Sequence, residues 1–312
     1  MTPDLAILAP LLLPIVAVCI VAWKRIIRRA ELQLPRSLHT SPWGFIEITI
    51  TVGSYLLFTV VLLLLSRLLL GWEFDTSALD PTTKIRSLYI NGIAELTSVL
   101  VSTLYIAHGP FRLHATPIGW TLSRAVADIR LALLVAAAVL PVIYLVQFIV
   151  TQLPGMQYNH PFITMLLESD SPSLWIAVAV SAVVVAPIAE EYFFRALVQG
   201  WFESLLNAAI VNVRSPVTDI PCEDDATEPL IPASEEPDLG LLKYLPILLS
   251  ATLFAAAHVG HGGGWVAIFV LALPLGCLYQ KTRRLLPGII LHMLLNAISV
   301  GLAFIVSLNP PS

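Results

Sequence analysis

Long apolar stretches recur along this 312-residue chain, and they limit it to very few architectures. Eight are visible, roughly at 5–23, 45–70, 88–108, 131–153, 172–198, 241–259, 265–280 and 287–308. About 20 apolar residues in a helix cross the hydrocarbon of a bilayer. Inside lipid every backbone polar group must find its partner within the protein, which leaves helices or closed barrels. Runs this long and uninterrupted choose helices. Charge agrees: 12% of residues are charged and 57% hydrophobic, against about 25% charged in an ordinary soluble domain. The expected fold is an all-α, polytopic transmembrane protein of about eight helices.

Lys and Arg placement sets orientation. If the basic stretch Lys24, Arg25, Arg28, Arg29 and Arg36 is cytoplasmic, alternation leaves only Arg67, Lys84 and Arg86 of the 17 Lys and Arg on the other face. Both termini are then expected outside. Met1–Trp23 lacks a basic leader and is read as a retained first helix rather than a signal peptide. Residues 109–130 mix Phe111, Leu113, Ile118 and Trp120 with Arg112, His114, Arg124 and Arg130. That pattern fits a helix lying at the cytoplasmic interface, with Trp120 at headgroup level, or a plain connection. Gln152–Ser173 has no Lys or Arg and reads as an outer loop with turns at Pro154-Gly155 and Asn159-His160-Pro161. Residues 207–240 are acidic and proline-rich and cannot build a core. The organisation is thus 1–130, helices and an interfacial segment of unassigned role, and 131–308, a transmembrane core carrying an acidic insert at 207–240. Cys19, Cys222 and Cys277 are scattered and define no disulfide framework. A basic patch interleaved with aromatics is absent, so nucleic acid is not an expected partner. The bilayer is, and oligomeric state is left open.

Three polar constellations interrupt the apolar helices. The first is Glu190-Glu191-x-x-x-Arg195. On a helix Glu191 and Arg195 share a face, acid first, the better order for an ion pair. Glu190 lies about 100° away and needs a partner elsewhere. The second is Phe254-Ala-Ala-Ala-His258, followed by the glycine-rich 259–264. The third is His292-Met-Leu-Leu-Asn296. Ionisable groups at such depth mark functional sites. Each item alone has a plain structural reading: interfacial charge, packed histidine, helix–helix hydrogen bond. His261 reads as a loop residue.

Together, in this order, the three sets resemble the CAAX-protease and bacteriocin-processing family. It is also called the type II CAAX prenyl endopeptidase or Abi family of intramembrane glutamic proteases. The resemblance covers about 172–303 and departs from the family pattern in the long acidic insert. It implies metal-independent, cofactor-free hydrolysis of peptide bonds in membrane-associated, prenylated or otherwise lipidated, proteins or peptides. By that likeness Glu190 is the base that activates water. His258 helps hold the water, and His292 and Asn296 orient it or stabilise the oxyanion. Glu191 and Arg195 are structural supports, and Phe254 accompanies His258. The cavity is expected to face the cytoplasm, in a cell (inner) membrane. The rivals are a zinc-dependent membrane protease, using the same Glu and His residues, and a non-catalytic scaffold or immunity-type protein. A transporter would need broken helices in two matching halves, which the sequence does not show. Convergence of the motifs makes one geometric demand. The sixth segment must begin near Pro246, putting His258 roughly 18 Å along it, with 259–264 as irregular backbone lining a cavity.

Overall fold

The computed structural model describes residues 5–29, 32–35, 38–72, 80–109, 118–156, 161–167, 171–214 and 239–308. Among these residues the regular structure is helical. The helices are α1 (Leu5–Arg29), α2 (Phe45–Leu70), α3 (Pro81–His108), α4 (Ala125–Thr151), α5 (Pro161–Leu167) and α6 (Pro172–Ile210), followed by α7 (Leu245–Ala257), α8 (Gly264–Thr282) and α9 (Leu286–Leu308). Among the described residues six helices, α2, α3, α4, α6, α8 and α9, are long and apolar enough to cross a membrane. The protein is an all-α, multi-pass membrane protein. The apolar surface of α2, with Leu56, Leu57, Leu64, Leu68 and Leu69 all exposed, is what a lipid-facing helix presents.

Local chemistry sets the boundaries. Asp80 caps α3, its carboxylate accepting from the Thr83 N–H at 3.1 Å, and Pro81 occupies the first turn. That starts α3 seven residues before the apolar run at 88. At α2, Glu47 reaches back to the Gly44 N–H at 2.7 Å.

Three expectations need correction. Residues 110–117 lie outside the described set, but 118–124 are turn rather than interfacial helix. Trp120 is not a headgroup anchor: it stacks on Tyr192 at 5.8 Å and donates to Thr103 Oγ1. Ile118 is fully buried, and the Gly119 carbonyl accepts from the Leu285 N–H, so this connection is pinned into the bundle. Next, part of the outer loop between α4 and α6 folds into the short α5, whose Phe162 and Met165 pack on the apolar faces of α3 and α6. Finally, α6 runs past 198 to Ile210, a 39-residue rod. The acidic insert falls mostly outside the described residues.

The rod is not a uniform α-helix. Ser181–Val185 and Tyr192–Gln199 are π-helical and bracket the α-helical Ala186–Glu191. Widened turns of this kind cluster at functional sites. Side chains of neighbouring helices reach carbonyls of these turns. Asn296 Nδ2 donates to the Ala182 carbonyl at 2.7 Å, Ser250 Oγ to Phe194 at 2.7 Å and Trp43 Nε1 to Ala196 at 2.9 Å. A separate ion pair ties α4 to the α8–α9 connection: Arg284 donates to both oxygens of the buried Asp128, at 2.6–2.9 Å.

Candidate active site

Glu190 and Glu191 are adjacent on the α segment of α6 and face different surroundings. Glu191 is fully buried. One oxygen accepts from Arg195 Nε at 3.2 Å, the contact expected from the four-residue spacing. The other accepts from His292 Nδ1 at 3.1 Å. Arg195, counted above among the cytoplasmic charges, is instead completely enclosed. Its Nη1 donates to Ser250 Oγ at 3.2 Å, and its guanidinium sits 5.1 Å over the Phe254 ring. Phe254 in turn meets the His292 ring edge-on at 5.8 Å and the His258 ring at 4.8 Å. One buried cation thereby holds α6, α7 and, through Glu191, α9 in register.

Glu190 is partly exposed, its side chain 27% accessible. His258 Nε2 lies 3.9 Å from its Oε1, and His292 Nε2 lies 3.7 Å from its Oε2. The other ring nitrogens fix the tautomers. His258 Nδ1 is 2.7 Å from the Phe254 carbonyl, which can only accept. His292 Nδ1 faces the Glu191 carboxylate, also an acceptor. With protons on both Nδ1 atoms, each neutral ring presents an Nε2 lone pair toward Glu190. The separations exceed a direct hydrogen bond and suit a bridging water, whose two hydrogens can satisfy two of these acceptors.

The sixth apolar segment begins close to where convergence of the motifs requires, although none of the described residues in 259–264 lines the cavity around His258. A 3₁₀ turn, Leu242–Tyr244, leads into α7 at Leu245, one residue before Pro246. The helix ends at Ala257, and 259–261 form another 3₁₀ turn before Gly262 at φ +61°. His258 therefore sits at a helix end inside the bundle.

Glu190, His258, His292, Asn296 and Phe254 line one cavity of about 370 Å³. Glu191 and Arg195 stand behind its wall. The other lining residues include Phe162 and Ile163 of α5, and Ser299 and Val300 toward the far end of α9. The cavity thus reaches into the half of the bundle away from the basic α8–α9 connection. Glu95 of α3 lines it as well. Glu95 lies outside all three motifs and the whole region of family resemblance. Its only sequence signal is a carboxylate in an apolar segment with no Lys or Arg three or four residues away.

The fold and the site together define a multi-pass helical membrane protein whose bundle holds a largely apolar cavity lined at one place by carboxylates and imidazoles. Residues 232–298 match the family model for type II CAAX prenyl endopeptidases, Rce1-like. The match takes in Phe254, His258, His292 and Asn296, and ends short of the Glu190–Arg195 motif on its N-terminal side. The curated proteins and the solved structures contain no match to this chain.

Proposed function

We propose that the protein is a membrane-embedded endopeptidase that hydrolyses membrane-associated protein or peptide substrates, prenylated or lipidated tails among them, by a glutamate-activated water. The observation that carries this reading is Glu190 flanked at 3.7–3.9 Å by two imidazole Nε2 atoms in one cavity. Water between them donates its hydrogens to the acceptors and turns an oxygen lone pair toward a bound peptide carbonyl. Glu190 takes the proton as the oxygen attacks. Asn296 commits one amide hydrogen to the Ala182 carbonyl and keeps the other for the developing oxyanion. Such preorganised donors contribute most where water is excluded. Glu191 and Arg195 act through His292, holding its ring and tautomer.

Purified protein in liposomes, offered a panel of membrane-anchored peptides, tests this. Wild type should cleave at least one, and Glu190→Gln should lose 10²-fold or more in rate, the scale of general-base contributions. If Glu190→Gln leaves the protein's cellular role intact, the scaffold reading replaces the protease. A carboxylate and two Nε2 lone pairs are also ligand types for zinc, and the same panel separates that second reading. Cleavage unchanged by a strong chelator supports the water mechanism, and cleavage abolished by chelator and restored by zinc supports the metal one. The excess of Lys and Arg supports a cytoplasmic position for the α8–α9 connection, in a cell membrane.

A further inference from the structure

Peptide hydrolysis moves two protons. One leaves the attacking water. The other must reach the departing nitrogen, since an amide anion is a very poor leaving group. Glu190, His258 and His292 account for the first. Nε2 of both His258 and His292 is turned toward Glu190, on the water side of the site, and Arg195 is enclosed behind Phe254 and bonded to Glu191 and Ser250.

Glu95 sits on a different helix and lines the same cavity. Among the described residues no cation pairs with it. An ionisable side chain kept mid-helix in a membrane segment without a partner is costly, and such residues are retained for function. Two carboxylates that share one cavity lined largely by apolar side chains disfavour ionising together, so one of them keeps its proton more readily. Glu190 is the member flanked by two basic nitrogens and a water site. That leaves Glu95 as the neutral acid.

We infer that Glu95 is a further catalytic residue, the general acid that protonates the leaving nitrogen. This rests on the endopeptidase reading above. The balance is complete. Water oxygen bonds to the carbonyl carbon, and Glu190 accepts its proton. The C–N bond breaks as the Glu95 carboxylic acid passes its proton to nitrogen. The products are a carboxylic acid and an amine, with Glu190 protonated and Glu95 ionised. A proton returning from Glu190 to Glu95 through cavity water resets the pair, and no other reactant is needed.

The test is the dependence on the leaving group. Glu95→Gln keeps the shape of the side chain and removes the acid. On an amide substrate its kcat should fall 10²–10⁴-fold, the range for general acid catalysis, with KM little changed. On the ester analogue of the same peptide, whose alkoxide leaves far more readily, the deficit should shrink by at least tenfold. A purely structural role predicts equal loss on both, and equal loss that Glu95→Asp does not relieve on the amide overturns the inference. Full activity of Glu95→Gln on the amide overturns it too, and leaves the parent reading standing if Glu190→Gln is still inactive. The ester also reports folding, since a misfolded variant fails on it as badly as on the amide, and Glu95→Asp, which keeps the acid, should then recover part of the amide activity. Wild type that cleaves neither substrate removes the parent reading, and this inference with it.

Discussion

Arg195 is the residue on which the site's geometry most depends. It is buried with Glu191, and its cost in isolation would be high. Breaking a buried pair by removing one partner is destabilising by about 3–5 kcal/mol, whereas replacing both with apolar groups can be nearly neutral. Arg195→Leu should therefore lower unfolding stability in detergent by about that amount. Glu191→Leu combined with Arg195→Leu should recover most of it, while catalysis stays low because His292 loses the acceptor on Nδ1. Gly288 is a second sensitive residue. A Cβ there would lie 2.9 Å from Glu191 Oε2, a contact real side chains do not make, and that carboxylate is held on both sides. Gly288→Ala should cost about 1–3 kcal/mol, the usual penalty of overpacking, and reduce turnover. Gly301→Ala, where nothing lies within 4 Å, should do neither. The Glu191–Arg195 pair was legible from its spacing, because i,i+4 is a local rule. The Glu191–His292 bond was not, since it joins residues 101 positions apart.

Among the elements, α6 does the most. Its π-helical turns make it a rod with two changes of pitch, and Asn296 of α9 holds the upper one through the Ala182 carbonyl. Asn296→Leu leaves that acceptor without this donor, and should destabilise by about 1–3 kcal/mol, the cost of an unsatisfied buried polar group. Hydrogen exchange at 182–187 should quicken in the variant, and turnover should fall because an oxyanion donor is lost. At the end of α7 the chain turns sharply past Gly263. A Cβ there would come within 2.4 Å of the Met156 backbone carbonyl. Gly263→Ala should displace the 258–263 segment and shift His258 from Glu190, visible as lost activity with modest loss of overall stability. Run length alone made both ends of α7 and α9 and the last turn of α3 readable to within a few residues, whereas the start of α3, set by Asp80 and Pro81, was missed by seven. Neither the π turns nor α5 was legible. A π turn is chosen by the packing and carbonyl partners around it, and a seven-residue helix carries too short a pattern.

At the scale of the whole molecule, the cavity extends from Glu190 toward Phe162 and Val300, away from the basic connections. With those connections cytoplasmic, as proposed from the positive-inside rule, this half of the cavity would face away from the cytoplasm, and labelling tests which side it opens to. Single cysteines at Arg283 and at Ile163, in a cysteine-free background, should react with a membrane-impermeant thiol reagent from opposite sides of sealed vesicles. Labelling of both from one side would overturn this topology. Labelling at Ile163 should also slow in the presence of bound substrate.

The sequence by itself determined that this chain crosses a membrane many times, because hydrophobic run length is a local property and lipid leaves the backbone no other choice. It determined too that three short polar sets would be placed on three helices, and that Glu191 and Arg195 would pair. Only tertiary structure decided that His258 reaches Glu190, that His292 serves both glutamates through different nitrogens, and that Glu95 joins them. Those contacts depend on where α7 breaks, how α6 changes pitch and which faces of α3 and α9 meet. Such choices are settled by close packing and by satisfying buried polar atoms between distant parts of the chain, and no local pattern encodes them.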